Sequence, residues 1–289
     1  MKGLSIVFLF SVVALLSGCG DKLPKLNSTP PSTTQPVTTE PPSPRISGDW
    51  EFSATSNVAG GSPLRFAGSI DSQTDPSKSS SDFKGALHID GSKCFDRVAA
   101  ADVTGTATAD KGSVIITTKD AQVVTLTGVF AAQSPTGLYT NMMFNGTYNI
   151  SGGCASGDQG KITGINLVSS SPFWFGRFTG SAQNTFDLSG DGLDMMGSPS
   201  SGGVHGVTGT IATESPCFSQ GKIAAGAFPS GSFILGRSVT LEAEAGDSVL
   251  KIEGTLSDDG GVIRGNYTLS GSSCNDSGTI FFQADPWYY

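Results

Sequence analysis

Histidine is almost missing from this chain: His88 and His205 are the only two in 289 residues. Neither stands at metal-ligand spacing from a second His or a Cys, and no Gly-x-Ser-x-Gly elbow accompanies them. The sequence patterns of zinc sites and of α/β serine hydrolases are therefore absent. Charge is scarce as well. Asp, Glu, Lys and Arg make up 15% of the residues and sum to −8, a balance that argues against a nucleic-acid partner. After residue 18 no segment approaches the ~20 apolar residues of a membrane-spanning helix, and none carries a convincing 3.6-residue apolar period. The chain does contain 39 glycines and abundant Ser and Thr, the composition of an exported β-rich protein rather than a cytosolic helical enzyme.

The first residues read as an export signal. Lys2 supplies a positive start, and Ile6 to Leu16 form an apolar stretch interrupted only by Ser11, too short for a comfortable transmembrane helix. It runs into Leu16-Ser17-Gly18-Cys19, which resembles the lipobox of bacterial lipoproteins cleaved by signal peptidase II. That resemblance implies a signal peptide over 1–18, cleavage between Gly18 and Cys19, and lipidation of Cys19, with palmitate-type chains holding the mature N-terminus in a membrane. Gly20 follows the cysteine where enterobacterial inner-membrane lipoproteins carry Asp, so the resemblance implies the outer membrane, with the protein facing the periplasm or the surface.

Residues 19–45 read as a lipid-anchored linker. Seven of the fifteen prolines fall within 20–45, among Ser and Thr and with few large apolar side chains, so this stretch cannot bury a core. Proline biases it toward an extended stalk of up to ~80 Å. The remainder, 46–289, divides into two copies. Trp50 precedes Cys94 much as Trp174 precedes Cys217, and Phe95 and Phe218 follow those cysteines. FNGTYNISGGC (144–154) matches IRGNYTLSGSSC (263–274). A period near 120 residues is longer than solenoid units, so each copy, 46–168 and 169–289, is expected to bury its own core.

Within each copy, apolar and polar side chains alternate. Phe144, Gly146, Tyr148 and Ile150 share one face against Asn145, Thr147 and Asn149, and Leu250 to Leu256 alternates strictly. Short strands with polar turns predict an all-β chain: two tandem antiparallel β-meander barrels of about six to eight strands each, with β-sandwiches as the alternative. The opening Gly48-Asp-Trp50-x-Phe52, followed by Gly-x-Tyr and Thr-Gly strands, resembles small avidin- and lipocalin-like barrels. An outer-membrane barrel is disfavoured by the lipobox, by the expected disulfides and by Glu51, Lys251, Glu253 and Arg264 within strands.

Four cysteines remain after Cys19. Duplication selects one bridge per copy, Cys94 with Cys154 and Cys217 with Cys274, as suits an oxidising compartment. The histidines read as surface or turn residues, and Glu242/Glu244 and Asp258-Asp259 as solvated charge. Asp187-x-Ser189-x-Asp191-Gly resembles the start of an EF-hand calcium loop, but Ser198 stands where the bidentate Glu belongs, and the bland reading is a polar hairpin tip. Trp50 and Trp174 are expected either as core plugs or as ligand contacts at a barrel mouth. No catalytic constellation and no cofactor signature stands out. The sequence thus favours a non-enzymatic, membrane-anchored binding or interaction module for an envelope protein, a glycan or a small apolar ligand. The alternatives are a structural envelope lipoprotein and, third, an enzyme.

Overall fold

The computed structural model describes residues 46–73, 79–132, 142–167, 174–181, 185–194, 202–223, 226, 228–258, 260–271 and 275–284. The signal segment, Cys19, the linker and Cys274 lie outside them. All regular structure among the described residues is β-strand.

The first copy supplies β1 (Gly48–Ser56), β2 (Leu64–Gln73), β3 (Ser81–Asp90), β4 (Ala101–Ala107), β5 (Gly112–Thr117), β6 (Val123–Ala132), β7 (Met142–Ser151) and β8 (Gln159–Leu167). Each pairs antiparallel with the next and β8 returns to β1, closing a barrel. Phe52 pairs with Phe66 on one side and with Gly164 across the closure. Closure leaves no strand edge open to pair with another chain.

The second copy supplies β9 (Trp174–Gly180), β10 (Thr185–Asp194), β11 (Val204–Gly206), β12 (Thr208–Ser215), β13 (Phe218–Ile223), β14 (Phe233–Leu235), β15 (Ser238–Ala245), β16 (Ser248–Leu256), β17 (Val262–Ser270) and β18 (Asp276–Ala284). Eight of these close a second antiparallel barrel in the order β9, β10, β12, β13, β15, β16, β17, β18 and back to β9. The fold is therefore two tandem closed barrels, and the sandwich alternative does not apply. Two short strands are extra. β14 takes the half of the β15 edge that β13 leaves unpaired, and β11 pairs with β14.

Period two explains both interiors. β1 turns Trp50, Phe52 and Ala54 inward, and β7 does the same with Phe144, Tyr148 and Ile150; all six are buried. A buried side chain of that size contributes about 1.5–3 kcal/mol, so aromatic filling is the main support of each glycine-rich barrel. Glycine serves close approach at one duplicated place. Gly128 pairs with Gly146 in the first barrel and Gly254 with Gly265 in the second, and a Cβ on Gly146 or Gly265 would lie 2.8 or 2.5 Å from the opposite Cα.

The copies share a polar lock at one end. Tyr148 Oη donates to Asp158 (3.1 Å), which also accepts from Ser56 Oγ (2.5 Å). In the second barrel Tyr267 Oη donates to Asp276 (2.7 Å), which accepts from Ser181 Oγ and backbone N–H. Each lock ties the ends of the first, seventh and eighth ring strands. The Tyr267 hydrogen bond holds the Asp276 carboxyl down at about 2, below its ordinary 3.8, while burial and that same bond push the Tyr267 phenol up. A carboxyl depressed on folding stabilises the fold above its unfolded pKa and loses that contribution as the pH falls through the folded value. Tyr267→Phe is accordingly expected to move the Asp276 midpoint up toward 3.8 in an NMR titration and to flatten the stability profile between about pH 4 and pH 2. An unmoved midpoint would show that the lock does not hold the charge.

Cys94 and Cys154 are joined, with Cα atoms 5.6 Å apart, and link the β3–β4 loop to the β7–β8 loop. Gln122 braces the bridge: its Nε2 donates to the Cys94 carbonyl (2.9 Å), and its Oε1 accepts from the Ala155 N–H (3.3 Å). Cys217 is also in a disulfide; its expected partner, Cys274, lies outside the described residues.

Candidate functional site

Of the two readings of the tryptophans, core plug or ligand contact, both barrels take the first. Trp50 is 0% exposed, donates Nε1–H to the Ile46 carbonyl (2.7 Å), stacks on Phe52 and meets Phe130 edge-on. Trp174 is 0% exposed and packs against Phe282. Both are core residues, and the reading of either as a contact at a barrel mouth is corrected. The sequence could not decide this, because an inward aromatic follows the same alternation in a filled barrel and in a hollow one.

The chemistry gathers instead on the outer wall of the first barrel, where the second copy covers it. β11 and β14 bring Val204, Phe233 and Leu235 onto Ala67 of β2, with Phe228 beside them. The chain approaches closely enough to need glycine: Gly203 has φ +73°, and a Cβ there would lie 2.4 Å from the Cα of Gly68. Two carboxylates on the outward face of β1 are buried by this contact. Asp49 meets His205 Nε2 at 2.7 Å and accepts from Ser69 Oγ (2.5 Å). Glu51 Oε2 accepts from Arg65 Nη2 (3.0 Å) and from the backbone N–H of Arg237 (2.7 Å), while Arg237 Nε stands 3.5 Å from Oε1. Arg65 Nη2 also donates to the Leu235 carbonyl (3.0 Å), so one guanidinium joins the two barrels.

Next to these pairs the seam opens into a pocket of about 200 Å³, bordered by Arg65, His88, Arg97, Phe228, Phe233 and Leu235. His88 is 5% exposed, packs its ring against Phe228 at 5.0 Å and turns its Nε2 edge onto the backbone of Gly202. Burial lowers the His88 pKa, opposed in part by the hydrogen bond to the Arg97 carbonyl, and so favours the neutral ring. That carbonyl, 3.2 Å from Nδ1, can only accept, which assigns the proton to Nδ1 and leaves Nε2 with a lone pair. Nε2 of His88 and Nε of Arg65 are buried and have no hydrogen-bond partner among the described residues.

The expectation of surface histidines is thereby corrected for both. His88 does point out of its barrel, as the alternation of β3 requires, but the second copy covers it; His205 lies in β11 and is 4% exposed. Glu51 is similarly outward and covered rather than wet. The signal that could have found the seam is its density: Asp49, Glu51 and Arg65 crowd one outward face in a chain poor in charge. A solvated face and a covered one give the same pattern, however, until the partner surface is known.

The calcium candidate takes another form. Asp187, Ser189 and Asp191 lie in β10, paired with β9 and β12, so the segment is strand rather than loop or hairpin tip. Asp187 and Asp191 are separated by about 13 Å of extended backbone. Asp187 is paired with Arg177 (3.1 Å), and the Asp191 side chain lies outside the described set. A second concavity, open and about 790 Å³, runs along the outer wall of the second barrel beside Phe175 and Phe281, with Arg264 over the Phe281 ring at 4.6 Å.

No family model matches the sequence, and no curated protein sequence matches it. Two solved structures are similar over most of the chain. One is a protein described as AttH from Nitrosomonas europaea, 9% identical, covering 81% of this chain and 91% of its own, with a TM-score of 0.24. The other is kievitone hydratase from Nectria haematococca, 7% identical, covering 84% of this chain and 90% of its own, with a TM-score of 0.22.

Proposed function

We propose that this chain is a lipid-anchored bacterial envelope protein that binds a small ligand without transforming it, and that the ligand site is the seam between its barrels. The observation that carries the seam is its pocket of about 200 Å³, in which Phe228, Phe233 and Leu235 stand beside Arg65, His88 and Arg97. A small cavity that combines an apolar wall with a few polar side chains is the usual form of a ligand site. Anchoring rests on Leu16-Ser17-Gly18-Cys19 and the Pro-rich stretch after it, which together would hold the barrels away from an outer membrane. The non-enzymatic reading rests on the poverty of the sequence in catalytic patterns. A second reading, a structural envelope lipoprotein without ligand, is favoured by the aromatic filling of both barrels.

Two measurements on the full chain test the proposal. Palmitate labelling should mark the protein, and Cys19→Ser should remove the label and release the protein from the membrane fraction; a membrane-bound, unlabelled wild type would sink the anchor. A mixed fragment screen followed by backbone NMR should perturb residues around His88 and Phe228. Shifts confined to other surfaces, or none at all, would favour the structural reading.

A further inference from the structure

We infer that the open groove on the outer wall of the second barrel binds a small amphiphile bearing one carboxylate, with its head on Arg264 and its apolar body across Phe281 and Phe175. The site is separate from the seam and does not depend on it. The duplication supplies the first observation. In the second barrel Arg264 pairs with Phe281, and Gln283 with Phe175, across neighbouring strands. At the same register the first barrel has Asn145 with Thr163, and Ile165 with Glu51. A closed barrel of this kind therefore stands without the arginine and without either outward phenylalanine. Phe175 is 55% exposed, and no other aromatic side chain among the described residues is as open to water. The core is filled from the opposite face of the same strand, by Trp174 and Phe178.

Charge supplies the second observation. Arg177 is paired with Asp187 (3.1 Å), and Glu253, on the strand next to Arg264, is taken by Lys251 (2.7 Å). Arg264 has no carboxylate partner among the described residues, so it leaves the groove with one positive charge to match. That charge sits at one end: Arg264, Phe281, Arg177 and Asp187 follow one another directly across four strands. An anion is drawn to the Arg264 end and kept from the Asp187 end. One charge matches a carboxylate better than a phosphate monoester, which carries about 1.5 to 2. Geometry supplies the third observation. The guanidinium lies over the Phe281 ring at 4.6 Å, which steadies it while its N–H edge stays available to a carboxylate. From the strand of Arg264 to that of Phe175 is two strand spacings, about 10 Å, the reach of a chain of about eight carbons. The groove, about 790 Å³, has room for such a body.

The test titrates the full-length protein with octanoate, 1-octanol, octylammonium and acetate, and reads the Arg264 Nε–H and the backbone amides of β9, β17 and β18 by NMR. Octanoate should shift these resonances saturably. The alcohol and the ammonium should bind roughly tenfold more weakly or worse, for want of the charge-assisted contact, and acetate should show no saturation. Arg264→Asn and Phe281→Thr install the residues that the first barrel carries at the same register. The first should erase the preference for octanoate over 1-octanol, and the second should weaken both. If either variant fails to fold, the ranking of the probes on the wild type decides alone. Binding of 1-octanol or octylammonium as tight as that of octanoate overturns the carboxylate, and acetate binding as tightly as octanoate overturns the apolar body. No saturable octanoate shift on these strands, or shifts confined to the seam around His88 and Phe228, overturns the site and leaves the seam reading untouched.

Discussion

Glu51→Ala is expected to destabilise the protein by about 3 kcal/mol and to split its thermal unfolding into two resolved transitions. Removing one member of a buried ion pair typically costs about 3–5 kcal/mol, because the partner's charge stays behind without compensation. The lower end applies here, since the Arg65 and Arg237 side chains are 33% and 31% exposed and can recover part of their solvation. The lost carboxylate also strands the backbone N–H of Arg237, which sits between the two barrels. Each barrel closes on its own ring and has its own core, so the damage should fall on the coupling between them rather than on either interior. Calorimetry of the wild type and the variant checks this directly. A loss below 1 kcal/mol with a single transition would mean that the apolar contacts of Ala67, Val204, Phe233 and Leu235 hold the seam without the charges. Glu51→Gln should fall between the two, because it retains an acceptor for Arg237 but offers no charge to Arg65.

Replacing both Cys94 and Cys154 with Ala should lower the stability by about 4 kcal/mol, with the loss confined to the first barrel. The bridge closes a loop with a sequence separation of 60, and the chain-entropy account values a loop of that length at about 4 kcal/mol through the restricted unfolded state. Native contacts give the loss a place. The bridge lies against the core cluster of the first barrel, and Gln122, 1% exposed, is fixed by hydrogen bonds to both of its flanks. Denaturant titration in the Glu51→Ala background, where the barrels are expected to unfold separately, followed by a probe in each barrel, tests the assignment: the first-barrel midpoint should fall and the second should stay. Equal shifts in both would show that the barrels unfold as one unit and that the seam is stronger than either core.

Alternation was enough to foresee strands over 144–150 and 250–256, and the repeated Trp-to-Cys spacing was enough to foresee two copies. The spacing concealed a difference, though. The first copy places Cys94 in a long loop, 91–100, between β3 and β4, whereas Cys217 sits in the tight connection 216–217 between β12 and β13. The second copy uses its chain elsewhere, in the connection carrying β11, so equal intervals hid unequal loops. Similarly, the Tyr of the shared Gly-x-Tyr pattern was legible as an inward core residue. Its lock with Asp158 or Asp276 was not, because nothing in period two says where a phenol oxygen ends.

By itself the sequence determined which side of each strand faces a core and where the chain doubles, since those follow from side-chain polarity at fixed positions along a backbone of period two. Only the tertiary structure decided that the outward face of the first barrel is an interface. Burial of Asp49, Glu51 and His88 depends on β11 and β14 folding across from more than a hundred residues away, and a polar side chain looks the same in sequence whether water or another barrel meets it.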